Sequence, residues 1–321
     1  MKAIVYDTYG PSEVLRYSEA AVPAIGDHDV LVRQHATSIN HGDRVFMHGL
    51  PGAARLVSGL RRPKRPILGR AVAGTVAAAG PKVTRFAAGD AVLGEAGGGA
   101  FAEYVAVPES RLVVKPAGLT FERAATLPVA ATTALAALRL GEVGPGRSVL
   151  LNGASGGVGT FAVRLARALG AEVTGVCSTR NVELVGSIGA HHVLDYTTED
   201  LLGGPRGFDA VIDFAGGHRV GEMRRLLAPR GVYVASTGDG GRLLGPLPRV
   251  AAVAVTRPFT RHRLRSLTAR PDAEALTHLA GLAAAGELLP VIEETFALEA
   301  APEAMRLLET RHARGKLVLL P

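Results

Sequence analysis

The 321-residue chain has a single cysteine, no tryptophan, 5% aromatic residues and no long uninterrupted apolar run. One thiol, Cys177, excludes an internal disulfide and any structural zinc site built from three or four thiolates. Cys177 itself reads as a small buried strand residue. Without a sustained apolar run, no segment offers a membrane span. The N-terminus, MKAIVYDTYG, lacks the apolar core and cleavage site of a secretory signal, so a cytoplasmic location is expected. The scarcity of aromatics argues against a protein that stacks single-stranded bases.

What is present is apolar and rich in glycine: 47% hydrophobic residues, 20% charged, and 40 glycines. That is the composition of a folded globular protein with close helix-on-sheet packing, and its length calls for two domains. The formal charge is +7, but it is local. Arg55, Arg61, Arg62, Lys64 and Arg65 form one basic segment, and Arg242 to Arg270 holds seven arginines with no acid. The remainder of the chain is net acidic. A solvated surface or the mouth of a site accounts for these segments, and no nucleic-acid partner is expected.

From residue 1 to about 117 the chain reads as short strands (KAIVY, DVLVRQHATSI, GTVAAAG, AVLGE, AEYVAV) between glycine and proline turns, which predicts an antiparallel unit. At residue 121 the period changes, and FERAATLPVAATTALAALRL predicts a long helical run. Then 148-SVLLNGASGGVGTFAVRLARALGAEVTGVC-177 reads as strand, glycine turn, amphipathic helix and strand: one βαβ unit. The alternation continues with helix 181-NVELVGSIGA-190, strands HHVLDY and FDAVIDFAG, helix HRVGEMRRLLAPRG and strand GVYVAST. The fold class expected is therefore α/β, with a doubly wound parallel Rossmann sheet beside a mainly antiparallel β domain. Helix DAEALTHLAGLAAAGEL, strand TFAL, helix APEAMRLLE and strand KLVLL close the chain and return to the first domain. The domains expected are 1–120 with 270–321, discontinuous, and 121–269 for the nucleotide.

The turn 153-GASGGVG-159 sits between a strand and a helix, where a glycine fingerprint binds a dinucleotide. Ser155, Gly156, Gly157 and Val158 are the candidate pyrophosphate contacts, because missing side chains and a helix N-terminus favour an approaching anion. An NAD site places an acid at the end of the second strand. Here 177-CSTRN-181 supplies Ser178, Thr179 and Arg180, two small hydroxyls and a planar cation suited to a 2′-phosphate. NADPH is the expected cofactor.

These features, with MKAIVYDTYGPSEVL, SINHGD, GTVAAAGPKVTRFAAGDAV, GAFAEYVAVP, LTFERAATLPVAATTAL, NGASGGVG, GAHHVLDY and HARGKLVL, give a chain that resembles, nearly end to end, the medium-chain dehydrogenase/reductase superfamily. Within it the chain is similar to the zinc-free NADPH:quinone oxidoreductase (zeta-crystallin-like) and enone reductase branch. The resemblance implies a GroES-like catalytic domain for the antiparallel part. It implies roles for Asn40 beside the nicotinamide ribose, Thr133 near the nicotinamide carboxamide and Tyr196 near the adenosine phosphate. Ser236 and Thr237 fall by the nicotinamide half, and Arg311 where some members turn an arginine to the cofactor. Members pair sheet edges into dimers in the region that here holds 250-VAAVAV-255 and the strand HRLRSLTA, so a homodimer is expected.

Zinc-dependent relatives carry cysteine at the position of Asn40, and histidine and glutamate at Arg70 and Ala71. The arginine would repel a zinc ion and alanine cannot ligate one, so no metal is expected. Ala71 also departs from the aspartate usual in the zinc-free branch, and Met47 from an arginine. Asp43, Met47, His48 and Ala71 are expected to shape the substrate pocket, although Asp43 also suits a role orienting loop groups. His191, where aspartate is common, reads as a surface exchange.

Without a Lewis acid a simple ketone is hard to activate, whereas a conjugated acceptor spreads the incoming charge onto a distant oxygen. The activity expected is zinc-independent hydride transfer from NADPH to a quinone or α,β-unsaturated carbonyl (an enone or enoyl substrate). Asn40, Thr133, His41 and His48 are the candidate hydrogen-bond donors, with water as a further one. The alternatives are an NAD(P)-dependent alcohol dehydrogenase or carbonyl reductase, and a non-catalytic NADPH-responsive nucleic-acid-binding or sensor protein.

Overall fold

Alternation along residues 29–39 puts Val30, Val32 and Ala36 on a buried face, and this stretch becomes the strand around which the first unit is built. In the computed structural model, which describes residues 1–236, 244–245, 247–310 and 313–321, the chain divides into two units. One is Met1–Thr132 with Pro271–Pro321, and the other is Thr133–Arg270.

The first unit begins with strands β1 (Lys2–Val5), β2 (Arg16–Glu19) and β3 (Asp29–Ile39), followed by helices α1 (His41–Met47) and α2 (Arg55–Ser58). Strands β4 (Ala71–Ala79), β5 (Ala91–Glu95), β6 (Tyr104–Pro108) and β7 (Leu112–Val114) come next. Helix α3 (Phe121–Thr126) then runs through a wider π turn at Leu127–Ala131, where Pro128 removes a backbone donor, into α4 (Thr132–Leu140). The division at Thr132, rather than at 121, follows from packing: Ala124, Ala125 and Leu127 are fully buried, and Ser38 on β3 donates to the carbonyl of Ala125 at 2.8 Å. Gln34 is buried on β3 and satisfied at both ends, donating to Ala100 O (3.0 Å) and accepting from Ala73 N (3.2 Å).

The second unit holds β8 (Ser148–Asn152), α5 (Gly159–Ala168), β9 (Glu172–Cys177), α6 (Val182–Ser187), β10 (His192–Asp195), β11 (Phe208–Asp213), α7 (Val220–Met223), β12 (Leu227–Ala235), α8 (Leu247–Thr256) and β13 (Arg263–Ser266). Its six strands are parallel, in the order β10-β9-β8-β11-β12-β13. The doubly wound Rossmann sheet expected from the alternation is present. Val149, Leu150, Leu151, Val211 and Ile212 are fully buried, as in strands covered on both faces.

The chain returns to the first unit through α9 (Ala273–Ala284), β14 (Ile292–Ala297), α10 (Ala301–Thr310) and β15 (Lys316–Leu320). β15 pairs antiparallel with β3, and the seven-stranded sheet runs β14-β15-β3-β4-β5-β7, with β6 also on β3. This is the GroES-like, mainly antiparallel β domain.

One segment differs from expectation. The helix read over HRVGEMRRLLAPRG stops after Met223 and one 3-10 turn, because Pro229 disfavours helical geometry at Ala228; strand β12 has already begun at Leu227. The run 250-VAAVAV-255 lies within α8, with Val253 turned into the core and Val255 exposed. Cys177 is buried in β9, where burial pushes its thiol up to about 11. No helix among the described residues is long and apolar enough to cross a membrane.

Candidate functional site

In the second unit the glycine turn leaves the carboxyl end of β8. Gly153 turns with φ +86°, and the amides of Gly153 and Ala154 both donate to the carbonyl of Val176 on β9 (3.2 and 3.0 Å). The start of α5 is packed so closely on this turn that a Cβ on Gly159 would lie 2.1 Å from the Gly153 carbonyl oxygen. A Cβ on Gly156 would instead meet nothing nearer than that oxygen at 3.5 Å. One glycine is thus required by the protein's own packing, while the other leaves open space beside the first turn of α5. Val158 sits at the helix entry with helical φ and ψ.

Asn181 joins the turn to the end of β9. Its Nδ2 donates to Ser155 Oγ (3.0 Å) and to Ser178 Oγ (3.3 Å), and its Oδ1 is buried without a hydrogen-bond partner among the described residues. Thr179 and Arg180 follow, exposed. The Thr179 hydroxyl contacts that of Thr197 at 2.5 Å, and Thr197 donates to Asp195 Oδ1 at 2.7 Å. Hydroxyl donation, led by Thr179, holds the Asp195 carboxyl below the usual carboxylate range. The acid near this strand end is therefore already occupied by hydroxyls. Tyr196 is 53% exposed, its amide donating to Cys177 O. These residues fit a dinucleotide: a cleared helix entry, two serines held in place and a cation at the second strand's end. Ser236 follows β12, its amide bonded to Asp213 O. Thr237 and Arg311 lie outside the described residues.

Beneath the carboxyl ends of β8 and β11 is a network that the sequence reading missed. Asp213, on β11, accepts from Asn152 Nδ2 (2.8 Å), Gly216 N (2.9 Å) and Tyr233 OH (3.1 Å), and pairs with Arg249 of α8. Burial pushes the Tyr233 phenol well up from its ordinary value. The carboxylate is fully committed to holding the loop after β11 and the start of α8.

In the first unit, β3 ends at Ile39 and Asn40 opens α1 with extended φ and ψ. The Asn40 backbone N–H donates to Asp43 Oδ2 at 2.8 Å, and Asp43 N donates back to Asn40 O. Antiparallel pairing of Leu317 with Ile39 sets Lys316 beside this corner. Gly315 precedes it with φ +83°, where a Cβ would lie 2.3 Å from Val291 O, so only glycine makes this approach. Lys316 Nζ donates to Ile39 O (2.7 Å) and to Asn40 Oδ1 (2.6 Å), and Asn40 Nδ2 donates to Ser38 O (2.9 Å).

Burial pushes Asp43 up to about 6, against the Asn40 amide and the charges of Lys316 and Arg70. Burial likewise pushes Lys316 down to about 7, against the attraction of Asp43. Arg70, just before β4, is ion-paired with Glu95, whose carboxyl burial raises against that pairing.

Of the four expected pocket residues, Met47 and Ala71 take other roles, and Asp43 takes the loop-orienting role also expected of it. Met47 is fully buried in a cluster with Ile4, Tyr6, Leu68, Phe101 and Leu317, so it is core and not pocket lining. Ala71 is fully buried in β4, its carbonyl accepting from Thr37 Oγ1 at 2.7 Å. Asp43 is buried in the first turn of α1, where its carboxylate accepts from the Asn40 backbone N–H. His48 pairs through Nε2 with Glu309 of α10 at 2.6 Å. His41 is exposed at the start of α1, and Thr133 lies in the first turn of α4. Arg55 and Arg65 of the basic segment bind the carbonyls of Gly49 and Gly97, so part of that charge is structural. His191 is an exposed residue that accepts from Val173 N at 3.0 Å. Among the described residues no group of three or more histidine, cysteine, aspartate or glutamate side chains could hold a metal ion.

Family models match two stretches: an alcohol dehydrogenase GroES-like domain over residues 26–117, and a zinc-binding dehydrogenase over 188–319. The chain is 34% identical over 344 residues to the chloroplastic quinone-oxidoreductase QR1 of Triphysaria versicolor, covering 100% of this chain and 98% of that protein. The quinone oxidoreductase of Coxiella burnetii has the same fold, with a TM-score of 0.90, 33% identity and coverage of 100% and 99%. That of Escherichia coli, solved in complex with NADPH, aligns over 100% of both chains with a TM-score of 0.83 and 25% identity.

Proposed function

Because the chain belongs to the medium-chain dehydrogenase/reductase superfamily and, within it, to the quinone oxidoreductase branch, we propose that it reduces quinones or α,β-unsaturated carbonyl compounds with NADPH and without zinc. The observation that carries the zinc-free reading is the chemistry of the corner around Asn40. Where zinc-dependent relatives set cysteine, histidine and glutamate, this chain sets an amide bonded to a buried ammonium, a paired guanidinium and a methyl group. The Arg70 guanidinium repels a divalent ion, the Ala71 methyl group cannot ligate one, and Lys316 occupies the Asn40 amide oxygen.

NADPH, when bound, supplies the hydride and leaves as NADP⁺. The protein's part is binding and orientation. Gly156 and the entry of α5 receive the pyrophosphate, and Ser155 and Ser178 are held for it by Asn181. Ser178, Thr179 and Arg180 take the 2′-phosphate, Arg180 as a planar donor. Thr133, Tyr196 and Ser236 complete the cofactor site, with Thr237 and Arg311 beyond the described residues. On the acceptor, hydride forms a C–H bond at the β-carbon or on the quinone, the π pair moves to oxygen, and water supplies the proton. The working form on this reading is a cytoplasmic homodimer using the edge strand β13, a state that light scattering tests.

The experiment is NADPH and NADH oxidation over a panel of quinones, enones and aldehydes. The reading expects quinone or enone turnover with at least a tenfold preference for NADPH. Turnover confined to alcohols and aldehydes would give way to the alcohol dehydrogenase reading, and cofactor binding with no turnover to the sensor reading.

A further inference from the structure

Between Asp43 and Asp90 the chain holds no aspartate or glutamate. Within that stretch, residues 50–66 hold no aromatic side chain either, yet they carry Leu56 and Leu60, the two most exposed leucines among the described residues at 75% and 66%. A single apolar residue on a surface is ordinary. Two of them among cations that have no acidic partner mark a surface that meets something.

The segment is closed on itself and tied to the rest of the first unit. Gly59 N donates to Arg55 O (2.9 Å) and Lys64 N to Ser58 O (2.8 Å), which pinches off a short tip holding Leu60, Arg61 and Arg62. Tyr9 OH donates to Gly59 O at 2.8 Å, and the Arg55 guanidinium lies 4.5 Å from the Tyr9 ring while donating to the carbonyls of His48 and Gly49, each at 2.9 Å. Arg65 is turned to Gly97 O. Arg55 and Arg65 thus hold the segment, and their tethers order it in advance of any contact. Arg61, Arg62 and Lys64 remain exposed, and no carboxylate among the described residues is ion-paired with them. Asp7, on which the Arg62 charge acts weakly, is itself paired with Arg16 at 2.8 Å.

Reversible attachment to a membrane takes two signals: apolar side chains that enter the interface and cations that meet anionic headgroups. This segment supplies both. Its aliphatic side chains give nucleic-acid bases nothing to stack on, which favours a lipid surface over a single strand. We propose that residues 55–65 dock peripherally on an anionic lipid bilayer, with Leu56 and Leu60 in the interface and Arg61, Arg62 and Lys64 among the headgroups. The long cationic side chains reach phosphate level while the leucines lie deeper. Neither cofactor nor substrate enters this contact, so it stands or falls apart from the reductase reading.

The test is co-sedimentation of the full-length protein with vesicles of phosphatidylcholine alone or with about a third phosphatidylserine, at low and high salt. Binding is expected to the anionic vesicles only and to fall steeply with salt. The triple variant Arg61→Gln/Arg62→Gln/Lys64→Gln is expected to weaken binding about a hundredfold, from roughly fivefold per cation. Leu56→Asn/Leu60→Asn is expected to weaken it tenfold or more. A control that removes three exposed arginines elsewhere, Arg225→Gln/Arg230→Gln/Arg270→Gln, is expected to bind almost as the wild type does. Thermal melts check that each variant folds. No binding to anionic vesicles, or equal binding to neutral ones, would overturn the proposal. Equal losses in the control would reduce the contact to overall charge and overturn it as well. An association state that changes in Leu56→Asn/Leu60→Asn by light scattering, with vesicle binding intact, would assign the leucines to a second copy of the chain and overturn it. Retention on RNA at physiological salt with none on vesicles would do the same in favour of a nucleic acid.

Discussion

Replacing Gly156 with alanine separates a cofactor cradle from an ordinary tight turn. The new Cβ would meet only the Gly153 carbonyl oxygen, at 3.5 Å, which is van der Waals contact. Gly156 does not use positive φ, so alanine strains nothing, and Gly→Ala at a compatible site stabilises by about 0.4–1 kcal/mol. Stability should therefore stay level or rise slightly. If the pyrophosphate lies against this backbone, the same methyl occupies its space, and NADPH Kd should rise at least tenfold, about 1.4 kcal/mol. Gly159→Ala is the contrast. Its Cβ would sit 2.1 Å from the Gly153 carbonyl oxygen, so α5 must move, at roughly 1–3 kcal/mol. That variant should lose both stability and binding. Thermal melts and fluorescence titration with NADPH read the two effects. Wild-type affinity in a folded G156A protein would refute the reasoning.

Other perturbations test other parts of the account. R180A should lower kcat/KM for NADPH by about ten- to a hundredfold while leaving NADH little changed, as loss of a charge-assisted bond to phosphate requires; equal losses with both cofactors would remove Arg180 from 2′-phosphate recognition. M47A should cost about 2–5 kcal/mol in urea melts with substrate KM unchanged, and a KM change without destabilisation would return Met47 to the pocket. Lys316 binds its proton less tightly folded than unfolded, so stability should rise with pH from about 7 toward 10.5, and K316M should lack that rise. Asp43 has the opposite sign: raised from 3.8 to about 6, it contributes stability at low pH that is lost as pH rises through about 6, so D43N should flatten that fall.

Local patterns foretold the architecture well. Alternation in DVLVRQHATSI and continuous apolar runs in VLLN and AVID distinguish a half-exposed antiparallel sheet from a parallel one buried on both faces. The glycine turn announced itself because strand, turn and helix are contiguous. Segments compatible with two periods were less legible: VAAVAV suits either a strand or a helix, and RRLLAPRG hides a strand start behind helical composition.

The site residues divide along the same line. Ser178 and Thr179 are visible locally, whereas Lys316 gains its role from a strand pairing that brings it to Asn40 across 276 residues. Met47 is apolar at the end of the polar-looking helix α1. Its burial depends on Ile4, Leu68, Phe101 and Leu317, which no local reading gathers. Asp213 is likewise made structural by Arg249 and Tyr233.

The most direct measurement is the rate of NADPH oxidation by a quinone after exhaustive treatment of the protein with chelator, beside the same protein supplied with zinc. The account predicts equal rates in both. Activity lost with chelator and restored by zinc would contradict it.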